Sequence, residues 1–490
     1  MFLRVSSGNL RSFLRLSLTG LLVGCGAGAS PSGPTQAPRF VRQSGDGQTG
    51  QPGATLPPYQ VQVLSGSGSP EAGVMVHWTV TCGQGSVAPD SSLTDASGIA
   101  TAAATLPSAP GAQTVTASAA NGIGPALTFS SRAAGVDSFA VLGGGNNVPE
   151  RYSSDFWVAG GYAYTGTWNW IQRTGGVGGA IKVFQLGGDG APTLVDSVLL
   201  TNVTTVSDLQ VSPDGQWLVA TAEGNTGEGL YALSLSDPAA PTQVAFAPVA
   251  AGLHTGTLSE IGGKLYAFTA KNPGNPALVV FDLSEVATGT ITQVSSTPIP
   301  PNYGIHDTFV RDGICFAMVW NEGVYIFDVG NGVAGGSPGH PVMIGSVKTS
   351  GGEAHNGWWF WNPATGEKRY FFVGQEGPGA VGTSSSGDIH VLDVTDLTQP
   401  KEVASYHMNG AGTHNFWLDE PNQRLYAAYY NGGVIALDVA CTLEGDLGFR
   451  EIARVRPGGS GNTYVWGVML SGGFLYAIDM LSGLWQLSTP

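Results

Sequence analysis

Charge is scarce in this chain, and positive charge most of all. Charged residues make up 11% of it, with 20 Lys plus Arg against 35 Asp plus Glu and a formal net charge of −15. An average soluble protein is about 25% charged. An acidic chain with few cations repels phosphate backbones, so nucleic acid is not an expected partner. No basic amphipathic stretch suits an anionic lipid surface. There are only 4 cysteines and no CxxC pair, which excludes a zinc knuckle and a disulfide-framework scaffold. HExxH, GxSxG and Walker signatures are absent. The run Gly175 to Gly179 leads into a strand-like Ala180-Ile-Lys-Val, so it offers no helix N-terminus to a phosphate. What is plentiful is Gly, at 74, and Pro, at 30, beside a hydrophobic fraction of 42%. That mixture fits turn-dense β structure, because a disordered chain lacks the apolar surface to fold.

Residues 1–24 carry Arg4, Arg11 and Arg15 and then a short apolar run, a secretory signal pattern too short to span a bilayer as a helix. The run ends Leu21-Leu22-Val23-Gly24-Cys25. It resembles the lipobox of bacterial lipoproteins, which implies cleavage before Cys25 and acylation there, with the membrane as partner through that lipid. Gly26 in place of Asp resembles outer-membrane sorting in a host with two membranes. Residues 25–37 read as a flexible tether. Of the remaining cysteines, Cys82 falls in a different predicted domain from Cys315 and Cys441, and all three are expected to be buried free thiols.

Residues 38–133 alternate in short segments such as Tyr59-Gln-Val-Gln-Val-Leu64 and Val74-Met-Val-His-Trp-Thr-Val80, separated by Gly, Pro, Asp and Ser clusters. This spacing predicts an immunoglobulin-like sandwich. Ser44-Gly-Asp-Gly-Gln-Thr-Gly50, Gly83-Gln-Gly-Ser-Val87, Thr94-Asp-Ala-Ser-Gly98 and Gly111-Ala-Gln-Thr-Val-Thr-Ala117 resemble bacterial Ig-like domains of the invasin and intimin type. That resemblance implies a stalk or spacer, sometimes adhesive. The lone His77 is read as structural.

From 134 to 490 one pattern returns about every 50 residues, the period of a β-propeller with one blade per repeat. Its starts fall at Asp155, Asp208, His254, His306, His355, His414 and Trp466. Each is followed by an aromatic second strand, such as Lys264-Leu-Tyr-Ala-Phe268, and a third, such as Leu278-Val-Val-Phe-Asp282. The fold class is therefore all-β: an N-terminal Ig-like sandwich, then a seven-bladed propeller closed by the strand Asp137–Leu142. The third strands, ending at Asp282, Asp328, Asp393 and Asp438, resemble LVIVD-repeat propellers of bacterial surface proteins. That family's activity is poorly defined, so the resemblance implies a fold and little mechanism. Blades ending in Gln185, Ser234 and Ser488 mark the Asp as a turn-stabilising group.

Equivalent repeat positions lie at one height around a propeller axis, so Asp155, Asp208, His254, His306, His355, His414 and Trp466 are predicted to ring the channel. The four imidazoles suit Fe, Cu or Zn, with the aspartates as further ligands or as partners orienting the rings. Alternatively each His staples its blade to the next through a carbonyl, or the ring binds a polar small molecule. Trp168, Trp170, Trp320, Trp358 and Trp359 are placed near inner-strand ends, where they suit either a sugar or peptide site or packing between blades. His340, His390 and His407 fall outside the ring. Three functions fit: an envelope-anchored binding or scaffolding protein taking a protein, glycan or small molecule; a metal-dependent oxidoreductase or hydrolase; and a surface adhesin. A catalytic residue is not identifiable.

Overall fold

The computed structural model describes residues 37–119, 123–135, 139–168, 178–188, 190–272, 274–300, 304–363 and 365–490. The lipobox with Cys25, the tether to residue 36, and Trp170 lie outside them. No helix among the described residues is long and apolar enough to cross a membrane.

Residues 39–133 form two sheets over one core. The first runs Arg39–Ser44, Tyr59–Leu64, Ile99–Thr105, Ser86–Ala88 in spatial order. The second runs Gln48–Gly50, Leu127–Ala133, Gly111–Ala119, Met75–Cys82, Ser91–Leu93. Period-2 alternation sends Tyr59, Val61, Val63, Val76, Trp78, Val115 and Phe129 inward. His77 points outward from its strand toward Ser91, 3.1 Å away, as a surface residue.

The rest is a β-propeller. Four-stranded antiparallel sheets follow one another along the chain, the first two joined side by side through Trp168 and Thr205. Their innermost strands are Tyr152–Ala159, Thr205–Val211, Thr255–Ile261, Asp307–Arg311, Ala354–Phe360, Phe416–Asp419 and Val465–Ser471. Each packs against the next, and the last packs against the first, so the ring closes. The final sheet takes its outer strand, Val141–Gly144, from the start of the domain. Of the strand expected over 137–142, Asp137 lies outside the described residues, and Phe139 is buried against Tyr426 ahead of the strand. Closure joins the two ends of the ring, and the edges that remain among the described residues are the short outer strands of the sheets.

Third-strand aspartates hold the turns that follow them. Asp282, Asp393 and Asp438 each accept the backbone N–H two residues on. Asp328 accepts five backbone N–H groups between Gly330 and Gly336. Burial alone would raise its pKa, yet those N–H groups hold it at about 2.

One expectation fails here. Cys82 and Cys441 are joined in a disulfide with their Cα atoms 5.5 Å apart, and among the described residues Cys315 alone is free, and it is buried. Separation into domains does not separate these thiols, because the two domains pack where they lie. Beside the bond, Ala112 N–H donates to the Asp438 carboxylate and Arg132 donates to the Glu451 carbonyl.

Candidate functional site

Each inner strand begins at the channel and runs outward to one mouth. The backbone N–H groups of His254, His306 and His414 bond the carbonyls of Ala270, Met318 and Ala428 on the neighbouring second strands. At His355 and Trp466 the register shifts, a bulge that turns the side chain toward the axis. These five residues form a packed arc. Ring centroids are 4.3 Å apart for His254 and His306, 3.9 Å for His306 and His355, 4.1 Å for His355 and His414, and 4.2 Å for His414 and Trp466. Trp168 closes the circle, 5.4 Å from Trp466 and 5.9 Å from His254.

Asp155 and Asp208 do not share this level, which corrects the predicted ring. Their inner strands carry bulges at Ser153–Phe156 and Val206–Asp208. Ser154 and Ser207 precede the aspartates as each ring histidine precedes its own neighbour, so the repeat alignment slipped by one residue. A one-residue slip in a strand changes which side chains share a level and a face. Asp155 and Asp208 instead join Asp307, Asn356 and Asn415 around a second cavity of about 300 Å³.

The histidine layer floors a cavity of about 290 Å³ at the opposite mouth. Its walls are Trp168, Trp320, Tyr430, Tyr464 and Trp466, with Glu223, Glu376 and Asn272 as polar groups. His306, His355 and His414 are buried and His254 is partly exposed. Burial, then the neighbouring histidines, push His306 and His414 well below the usual imidazole pKa. Burial also lowers His355, against the pull of Glu376. Burial acts the same way on His254, but the Glu223 carboxylate beside it prevails and raises its pKa. Tyr430 donates its hydroxyl to Glu376.

The aspartate layer behaves differently. Burial, with repulsion from Asp208, raises Asp155 well above the ordinary carboxyl value. Burial lifts Asp208 to about 6 and Asp307 to about 7. Outside this layer an aromatic arc lines the mouth, with Trp358 and Trp417 5.2 Å apart and Phe309 5.3 Å from Trp358. Arg311 bridges to Glu420 at 2.6 Å on the same rim.

The tryptophans divide accordingly. Trp168 and Trp320 line the histidine side and Trp358 the aspartate side. Trp359 is buried between blades against Phe316, its indole donating to the Lys368 carbonyl. His390 is buried beside Glu402 and His407 is exposed beside Asp388, both away from the channel. His340 exchanges backbone hydrogen bonds with Ser337. Sequence reasoning missed Glu223, Glu376, Tyr430 and Asp307. Glu223, Glu376 and Tyr430 share one place in the repeat, at or just past the end of the second strand, where Trp168, Trp320 and Met480 also stand.

No family model matches the chain, and no curated protein matches it. Among solved structures it is similar to the β-propeller domain of Cps50 (Swd1) from Myceliophteria thermophila, at 12% identity and a TM-score of 0.48. The match covers 69% of this chain and 97% of that one.

Proposed function

We propose that the chain is an exported, lipid-anchored envelope protein that binds a small ligand or glycan at the histidine-side mouth of its channel. In this reading residues 1–24 are a lipoprotein signal and Cys25 carries the lipid. Residues 38–133 are an Ig-like module of the invasin and intimin type. Residues 134–490 are a seven-bladed propeller of the LVIVD type, presented to its ligand by that module.

The observation that carries the reading is the cavity itself. Tryptophan and tyrosine rings wall it and a few convergent polar groups reach into it, the usual make-up of a small-ligand site. The Cys82–Cys441 bond is in keeping with export, since disulfides persist in oxidising compartments.

The test is a glycan and small-metabolite binding screen on the full chain, read by tryptophan fluorescence. A ligand bound by the wild type and lost in Trp168→Ala, with Trp358→Ala unaffected, supports the reading. Binding that depends on Trp358 and ignores Trp168 moves the site to the other mouth and refutes it.

A further inference from the structure

Counting protons on the histidine ring leads to a conclusion that the cavity alone does not. His306 Nδ1 is 3.1 Å from the carbonyl of His355, and His414 Nδ1 is 2.5 Å from the carbonyl of Trp466. A carbonyl only accepts, so both Nδ1 atoms carry the hydrogen and each neutral ring presents its Nε2 as a lone pair. His254 Nδ1 is 2.8 Å from the Glu223 carboxylate, again an acceptor, so its neutral ring also presents a bare Nε2. Yet Nε2 of His254 and Nε2 of His306 stand 2.8 Å apart. Two lone pairs at that distance repel unless a proton on His254, which Glu223 favours, or a metal ion lies between them.

The neighbours repeat the theme. Nε2 of His355 is fully buried and has no hydrogen-bond partner among the described residues. Glu376 sends one oxygen to 3.8 Å from that atom and the other to 4.0 Å from Nε2 of His414. Ligand atoms of His306, His355 and Glu376 lie within 4.8 Å of one another. Nitrogens bound at about 2.0–2.1 Å to one ion, at right angles to each other, sit about 3 Å apart. Imidazoles whose second nitrogen is fixed by a carbonyl or carboxylate are the usual ligands of such ions.

We infer that His306, His355 and Glu376, with His254 beside His306 and His414 beside Glu376, form the site of one divalent first-row transition ion at the floor of the tryptophan-walled cavity. Imidazole nitrogen with one carboxylate suits iron, copper or zinc and disfavours magnesium or calcium. Glu223 is a positioning residue, holding His254 with its Nε2 inward. The cavity above leaves the ion an open side, so the inference rests on the channel-mouth reading and sharpens it.

The test is metal analysis of the purified full chain, followed by chelation and titration with Zn2+ or Co2+ alone, the latter read by visible absorbance. The expected result is about one ion per chain in the wild type and none in His306→Ala/His355→Ala. Glu223→Gln should bind about 10- to 100-fold more weakly, as orienting partners typically do. Because the double variant risks misfolding, Glu376→Gln is the isosteric check: it should keep the wild-type circular dichroism and alter the Co2+ spectrum. Wild-type protein that takes up no ion overturns the inference, as does uptake that both His306→Ala/His355→Ala and Glu376→Gln leave unchanged. Metal uptake without any glycan or metabolite binding would refute the ligand reading alone. Ligand binding by a wild-type chain that takes up no ion would refute the metal alone.

Discussion

The two layers of the channel come from adjacent residues of the same strands, yet they are finished to different degrees. In the aspartate layer every carboxylate has donors. Phe156 N–H serves Asp155, Leu209 and Gly256 N–H serve Asp208, and Thr308 N–H serves Asp307. The Asn415 amide adds a further donor to Asp155 at 2.6 Å. In the histidine layer the inward nitrogens of His254 and His306 meet each other, and those of His355 and His414 face Glu376 at 3.8 and 4.0 Å, beyond hydrogen-bond reach. Buried polar groups are normally paired, so the first layer is complete as built and the second is not. What distinguishes a structural ring from a binding ring is therefore the unpaired inventory, and residue type alone would have misled: acidic clusters look like cation sites, and here they are the satisfied set.

The largest effect that tests this contrast is Asp208→Ala. It strands two backbone N–H groups, and each unpaired buried donor costs about 1–3 kcal/mol. We expect a loss of about 2–4 kcal/mol in urea unfolding. Added metal gives the next largest effect. With an ion at about 100 times its Kd, the wild type should gain about 2.7 kcal/mol. Asp208→Asn should keep that gain and His306→Ala/His355→Ala should lose it. If Asp208→Asn abolishes the gain, the layers are not independent.

In chelated protein, His355→Leu should change stability by no more than about 1 kcal/mol. It removes a buried Nε2 that has no partner among the described residues and an Nδ1 whose contact with Asn356 is long, at 3.4 Å, so little pairing is lost. A loss like that of Asp208→Ala would show that the histidines are staples. Glu402, outside the channel, extends the comparison to acid. Burial favours its neutral form, but hydrogen bonds from His390 and Ser350 hold its pKa at about 2 rather than 4.5. Its folded pKa is depressed, so its contribution is full above about pH 4.5 and fades as pH falls toward 2. The stability gap between wild type and Glu402→Gln should be widest at neutral pH and close near pH 2. Smallest of all, His407→Ala removes an exposed pair with Asp388 and should cost under about 1 kcal/mol without touching metal uptake.

Much of the architecture was legible because it repeats. Strands such as Leu278-Val-Val-Phe-Asp282 and Val434-Ile-Ala-Leu-Asp438 recur with the same buried pattern, and the ring of sheets follows from their period. The register within the ring was less legible. Ser154-Asp155 and Ser207-Asp208 match His306-Asp307 only once the bulges are known, and a bulge leaves no fixed mark in composition. Glu223 and Glu376 were invisible for another reason. Their repeat position holds Trp, Glu or Tyr by turns, so recurrence carried no signal there. The Cys82–Cys441 pairing depends on how two domains dock, and no local pattern encodes docking.

That bond has a mechanical consequence. The propeller is closed by the strand Val141–Gly144, which reaches the first domain only through the short stretch after Ala133. Without a cross-link, tension on the chain before residue 82 would pass along that stretch and peel the closing strand from its sheet like a zip. With Cys82 fastened to Cys441, the same pull enters the ring beyond the strand Val434–Asp438, inside a complete sheet. The closing strand is taken out of the line of force, and the ring can be tugged without being opened.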